Sequence, residues 1–262
     1  GCGTQTAGLA FGGESPGSPA ENATEEYGGT SWTNGGNLGT GRDGLAGCGT
    51  QTAALAFGGR TPPSTALGKT EEYNGSSWSV ENELNDPRYF LAGAGTQTAG
   101  LAFGGDPGPS NATEEYNGSS WTNAGNMGTA REALAGAGTQ TAGLVFGGSP
   151  GGSNETNATE EYDGSSWTAG GNMNTAVRYF AGCGTQTAAL GFGGLGSGIP
   201  TQTEEYDGSS WSIGGALGAA RLRLGGAGTQ TVGLAFAGTP GPEAATEEYT
   251  GGGPATLTVG TS

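Results

Sequence analysis

Histidine is absent from all 262 residues, and cysteine occurs only at Cys2, Cys48 and Cys183. Without His the chain lacks the usual general base and the commonest metal ligand near neutral pH, which removes most familiar active sites. Two segments, Gly13-Glu14-Ser15-Pro16-Gly17 and Gly147-Gly148-Ser149-Pro150-Gly151, have the form of a hydrolase nucleophile elbow, but no His can complete their triad. Basic residues are scarce as well: 8 Lys and Arg face 24 Asp and Glu, a formal charge of -16. Nucleic acid is therefore not an expected partner, because affinity for phosphates rests on Lys and Arg releasing condensed counterions. Anionic membrane surfaces are disfavoured for the same reason, and no apolar run approaches the roughly 20 residues of a spanning helix. Bulky aliphatics are few, with 32 Leu, Ile, Val and Phe against 59 Gly. Taken alone, that composition belongs to a disordered chain.

Periodicity argues otherwise. Gly-Thr-Gln-Thr occurs six times, with its glutamine at Gln5, Gln51, Gln97, Gln140, Gln186 and Gln230. Thr-Glu-Glu-Tyr also occurs six times, ending at Tyr27, Tyr73, Tyr116, Tyr162, Tyr206 and Tyr249. Five copies then carry Trp32, Trp78, Trp121, Trp167 or Trp211. A period of 40 to 50 residues holding several short strands is the signature of one four-stranded blade per repeat. Within a copy, four strands a to d are expected, as in 91–94, 99–104, 112–116 and 120–122. The c–d hairpins are marked by Asn74-Gly75, Asn117-Gly118, Asp163-Gly164 and Asp207-Gly208, with Gly28-Gly29 in the first copy. Alternation in strand b sends Leu101 and Phe103 to one side and Gly100 and Ala102 to the other, so each blade has a bulky and a thin face. The expected fold is all-β: one six-bladed propeller domain over 1–262, with repeats at about 1–44, 45–90, 91–133, 134–179, 180–223 and 224–262. The recurring Trp and Tyr residues are its seam.

Phe57-Gly58-Gly59, a downstream Tyr73, Trp78 and then Arg88 form a unit that resembles the kelch repeat. More narrowly, Gly-Thr-Gln-Thr-Ala-Gly-Leu-Ala-Phe-Gly-Gly and Thr-Glu-Glu-Tyr-Asn-Gly-Ser-Ser-Trp resemble kelch-like arrays in virion structural and tail-fibre proteins of marine bacteriophages. The resemblance implies a propeller used for binding or architecture on a virion surface or in another extracellular setting, with a host-surface glycan or protein, or other virion proteins, as partners. Copy six departs from the pattern: it reads Phe236-Ala237-Gly238, lacks the Trp, and closes on an alternating Ala255-to-Val259 segment read as the last outer strand. Gly1-Cys2-Gly3 opens midway through a motif that later copies show in full, so the natural start is expected to lie upstream and targeting cannot be read.

Comparing the six copies with one another locates a site. Length varies only in the b–c loops, 14–22, 60–69, 106–111, 149–157, 195–202 and 239–245. Composition varies again on the d–a connections, which read Arg42-Asp43-Gly44, Arg88-Tyr89-Phe90, Arg131-Glu132-Ala133, Arg178-Tyr179-Phe180 and Arg221-Leu222-Arg223. In an up-and-down meander both sets fall at one end of the blade, so a rigid scaffold would carry one diversified loop face, as a binding module needs. Neutral drift of loops would leave a similar pattern. Tyr89, Phe90, Tyr179 and Phe180 are the candidate contact residues, since aromatics supply much contact energy and stack on sugar rings. Filling the blade seams is the alternative role for them. Arg60, Lys69 and Arg223 stand outside the regular Arg position and could meet an anionic ligand, with Arg88 and Arg178 adjoining.

The Glu pairs supply 12 of the 24 acids, and five regular Arg cannot pair them all. A structural Arg–Glu ring is expected, with at least half of these Glu exposed, protonated or cation-bound. A calcium site is weakly supported, because no clustered Asp/Asn loop appears. Paired-carboxylate glycosidase chemistry is weaker still, since an identical pair in every copy reads as structure. Asp163-Gly-Ser-Ser-Trp167 faintly resembles a sialidase Asp-box, but three of five copies lack the Asp. No enzyme activity, cofactor or metal is therefore expected. Cys2, Cys48 and Cys183 share a position held elsewhere by Ala94, Ala137 and Ala227, which reads as small-residue packing. Asn22, Asn74, Asn111, Asn117, Asn154 and Asn157 head glycosylation sequons, which matter only in a glycosylating host.

Overall fold

The structure is a computed structural model that describes every residue except 16, 18, 19, 198–200, 241–244, 252–256 and 260–262, and residues 257–259 by backbone alone. Six four-stranded sheets follow one another along the chain, each in the order a-b-c-d with antiparallel neighbours, and no helix occurs among the described residues. Strand a is Cys2–Thr4, Ala46–Thr50, Ala92–Thr96, Ala135–Thr139, Ala181–Thr185 and Gly225–Gly228 in blades 1 to 6. Strand b is Ala7–Phe11, Ala53–Phe57, Ala99–Phe103, Ala142–Phe146, Ala188–Phe192 and Val232–Phe236. Strand c is Thr24–Tyr27, Thr70–Tyr73, Thr113–Tyr116, Thr159–Tyr162, Thr203–Tyr206 and Thr246–Thr250. Strand d is Trp32–Asn34, Trp78–Glu81, Trp121–Asn123, Trp167–Ala169, Trp211–Ile213 and Leu257–Val259. The terminal segment thus pairs as the outer strand of blade 6, Glu247 opposite Thr258. The c–d turns tolerate either Asn or Asp because only the side-chain oxygen is used: Asn117 Oδ1 and Asp163 Oδ1 each accept from the backbone N–H of the two serines that follow.

Bulky and thin faces meet between blades as the alternation requires. Leu101 of blade 3 presses on Gly143 of blade 4, where a Cβ would lie 2.7 Å from Leu101 Cδ2. Phe103 likewise covers Gly136, where a Cβ would fall 2.5 Å from its ring. Each Trp closes the seam from outside. Trp121 sits between Tyr116 of its own blade and Phe57 of the preceding one, with ring centroids 5.1 and 4.9 Å away. Its indole N–H donates to Thr70 Oγ1 of that preceding blade at 2.9 Å. Trp32, Trp78, Trp167 and Trp211 repeat the bond to Thr246, Thr24, Thr113 and Thr159. Burial of each large side chain in these seams contributes ~1.5 to 3 kcal/mol. The three thiols are buried and donate weakly to backbone carbonyls of the next blade, and desolvation pushes Cys2 up to about 11 and Cys183 up to about 12.

Polar bonds specify the same seams. Every repeat glutamine reaches back to the preceding blade: Gln51 Nε2 donates to Gly8 O and Tyr27 O, Gln97 to Ala54 O and Tyr73 O, and Gln5 crosses the closure to Gly233 O and Tyr249 O. The second Glu of each pair accepts from the tyrosine hydroxyl of the following blade. Tyr73 donates to Glu26, Tyr116 to Glu72, Tyr162 to Glu115, Tyr206 to Glu161 and Tyr249 to Glu205. Tyr27 donates to Glu248 and completes a ring of six.

The first Glu of each pair is buried in blades 2 to 6 and latches the segment that leaves the preceding blade. Arg42 meets Glu71, Arg88 meets Glu114 at 2.9 Å, Arg131 meets Glu160 at 2.6 Å and Arg221 meets Glu247. The expectation of five regular arginines needs correction. Val177, not Arg178, holds the fourth latch position and is buried; Glu204 is satisfied instead by the N–H groups of Asn174 and Thr175 and by the side chains of Asn174 and Gln202. The expectation that half the Glu must be exposed, protonated or cation-bound also fails, because tyrosine hydroxyls and backbone N–H groups do most of the pairing. Glu25 alone among the first Glu is exposed.

Two outcomes follow from the latches and the ring. Arg131→Ala strands Glu160 in a buried site, which costs about 3 to 5 kcal/mol, to be read from urea unfolding; an unchanged midpoint would mean that the ion pair does not hold the seam. Burial first, and then the bond to a carboxylate, pushes Tyr27, Tyr73 and Tyr206 up to about 12 and raises Tyr116, Tyr162 and Tyr249 as well. An unfolded tyrosine ionises near pH 10, so the stability linked to the ring is complete below about pH 10 and is lost as the pH rises toward 12. Tyrosine ionisation and unfolding should therefore coincide in an alkaline titration, and ring tyrosines titrating near 10 in a chain that stays folded would contradict the linkage.

Candidate functional site

The described parts of the variable loops share one end of the propeller, with 16, 18, 19, 198–200 and 241–244 outside the described residues, and five of the six b–c loops are zipped to a d–a connection. Asp43 on the d–a connection and Arg60 on the b–c loop exchange backbone N–H···O bonds, as do Tyr89 with Asp106, Glu132 with Ser149, Arg178 with Leu195 and Leu222 with Thr239. Blade 2 extends its b–c loop into a small ribbon, Arg60–Thr61 with Thr65–Ala66. At the other end the constant glutamine amides are spent within the seams. Asn22, Asn111 and Asn157 brace the loop bases, each donating Nδ2 to a backbone carbonyl 16 residues on, which supplies a structural reason for Asn there.

Around the axis on the loop face runs an open ring of four backbone bonds. Phe90 N–H donates to Gly44 O at 2.7 Å, Ala133 to Phe90 O, Tyr179 to Ala133 O and Arg223 to Tyr179 O at 2.7 Å. All five residues have left-handed backbone, with φ of 62° at Gly44, 52° at Phe90 and Ala133, 53° at Tyr179 and 56° at Arg223. Glycine takes that conformation freely, whereas a residue with a Cβ pays about 1 to 2 kcal/mol. Four of the five positions nonetheless carry side chains, and three of these are large. Strain of this kind gathers where a side chain is needed in a particular place.

Phe90, Tyr179 and Arg223 converge. The rings of Phe90 and Tyr179 meet edge to face at 5.3 Å, and the Arg223 guanidinium lies 5.1 Å from the Tyr179 centroid and 6.0 Å from that of Phe90. Arg60, held in a fork by Asp43, covers Phe90 and Tyr89 from the other side at 4.7 and 4.9 Å. Phe90, Tyr179 and Arg223 line an axial funnel of about 730 Å³, together with Leu91, Leu134, Phe180, Leu224 and, from the first b–c loop, Glu14, Ser15 and Gly17. No set of His, Cys, Asp or Glu able to hold a metal occurs among the described residues.

The candidate residues chosen from the sequence separate into three groups. Phe90, Tyr179 and Arg223 line the funnel, and Arg60 and Tyr89 support Phe90 from behind, Tyr89 being buried. Arg88 is interior, which corrects its placement as a contact: it is a seam latch. Phe180 occupies the position of Leu91 and Leu134, packs on Phe146 at 5.6 Å and, though largely buried, also lines the funnel. Lys69 and Arg178 do not line the funnel; they pair with Glu83 at 2.7 Å and Glu155 at 3.1 Å. Glu14 was not among the sequence candidates, because nothing in the repeat distinguishes it from other loop acids.

The fold and the funnel define a six-bladed β-propeller. Its backbone is similar to the solved structure of YjhT, with a TM-score of 0.74 over 95% of this chain and 93% of that one, at 14% sequence identity. No protein-family model and no curated protein sequence matches the chain.

The left-handed ring makes a stability prediction that is separate from function. Ala133→Gly relieves the strain at φ 52° and should raise the unfolding free energy by about 1 kcal/mol. A neutral or destabilised variant in thermal unfolding would show that the ring is not strained.

Proposed function

We propose that this propeller is a non-enzymatic binding module that presents its funnel face to a host-surface glycan or protein, as an exposed part of a virion or tail fibre. The observation that carries the reading is the axial ring: rigid inter-blade bonds hold Phe90 and Tyr179 at the funnel in a backbone state that glycine would fill at lower cost. A funnel of about 730 Å³ with apolar walls and a few converging polar groups suits a sugar or a loop of a partner protein. The bacteriophage setting rests on the repeat units themselves. An architectural role for the opposite face gains less support, since the recurring glutamines there are occupied within the molecule.

Phe90→Ala combined with Tyr179→Ala keeps a side chain already accommodated at this ring position, as Ala133 shows, and should fold. Saturable binding to a broad glycan array or to candidate host cells should fall at least about tenfold. Undiminished binding by the folded double variant would remove the funnel from the reading, and absence of binding by the folded parent protein would overturn the reading itself.

A further inference from the structure

Seven of the eight basic side chains are closely paired with a carboxylate, at 3.1 Å or less: Arg42, Arg60, Lys69, Arg88, Arg131, Arg178 and Arg221. Arg223 is the exception. Among the described residues its nearest carboxylate is Glu14 at 3.6 Å, too far for a hydrogen bond, and both side chains are about half exposed, 47% and 53%. The Arg223 guanidinium thus has donors to offer where the two aromatic rings meet, while Glu14 holds the place of an anion without bonding it. In a chain of net charge -16, this is where, among the described residues, an anionic group meets a cation held only by a long, half-exposed ion pair.

We propose that the funnel selects a carboxylated pyranose, a uronic acid, whose ring lies against Phe90 and Tyr179 and whose carboxylate takes both donors of the Arg223 fork, displacing Glu14. The inference rests on the funnel reading above and names its ligand class. A guanidinium fork matches a carboxylate in plane and spacing, and the aromatic rings beside it meet the apolar C–H face of a pyranose. One available guanidinium, with Glu14 beside it, admits one carboxylate and disfavours a densely charged polyanion. Retention of Arg at a left-handed position, φ 56°, where glycine is the low-cost residue, fits a requirement for the guanidinium itself.

Short oligogalacturonides and their methyl esters provide the test, because esterification removes the charge and keeps the ring. By calorimetric titration the free acid should bind about tenfold or more tightly than the ester. Arg223→Gln should reduce that ratio to near one with ester binding unchanged, and Glu14→Gln should tighten acid binding several-fold without affecting the ester. Equal binding of acid and ester by the parent protein, or a ratio that survives Arg223→Gln, overturns the uronic-acid assignment and leaves the general funnel reading standing. No binding of either probe also overturns the assignment, and the glycan array and host cells then decide separately whether the funnel binds anything.

Discussion

Everything in this molecule depends on the seam between one blade and the next. The chain has few large apolar side chains, so seam burial cannot by itself choose among near-equivalent offsets of one blade against another. A sheet shifted along its neighbour would still place Leu and Phe on a glycine-rich face. The directional bonds remove that freedom. A tyrosine hydroxyl must find one carboxylate, an indole N–H one threonine oxygen and a glutamine amide the carbonyls of the preceding blade. Buried donors and acceptors left unmade cost more than made ones return, which turns the polar set into a register device. Glycine has its reason in the same seam: the positions under Leu101 and Phe103 accept no Cβ.

The loop face inherits its precision from those seams. Because each blade is fixed to the one before it, the backbone at Gly44, Phe90, Ala133, Tyr179 and Arg223 can link into an open hydrogen-bonded chain around the axis. The donor N–H must point at the neighbouring carbonyl, and the left-handed conformation is what this demands of the residue. A position forced into that state by its neighbours is indifferent to side-chain identity apart from the cost of a Cβ. Gly, Phe, Ala, Tyr and Arg can therefore occupy one structural role while lining the funnel with different side chains.

Much of the architecture was legible in the repeat. Period, hairpin turns and the alternation of Leu101 and Phe103 with Gly100 and Ala102 correspond to the blades, and the terminal alternating segment pairs where strand d of blade 6 was expected. The pairing of the acids was not legible, since tyrosine as the partner of the second Glu depends on the offset between blades, which no single repeat displays. The misplacement of Arg178 has a different origin. Matching Arg-Tyr-Phe at 88–90 with 178–180 follows residue identity, but the interval from the first Glu of a pair to the next Gln is 26 in every copy, and counting from Glu160 by the interval that separates Glu114 from Arg131 arrives at Val177. Under that count Phe180 aligns with Leu91 and Tyr179 with Phe90, so the buried packing position separates from the left-handed one. The φ values of the ring had no sequence signal, because four of its five members are not glycine.

The φ values of the ring distinguish a constrained loop face from an unconstrained one. Drift acting on a left-handed position should accumulate glycine and asparagine, the residues that tolerate it, in every copy. The position just after it behaves as a packing site should, reading Leu45, Leu91, Leu134, Phe180 and Leu224. The ring position keeps Phe, Tyr and Arg against its conformational preference, and the three converge on one wall of the same funnel. Relaxed selection accounts for variety but not for variety that runs against the local energy. A requirement acting on the side chains accounts for both, and the proposed binding role would supply one.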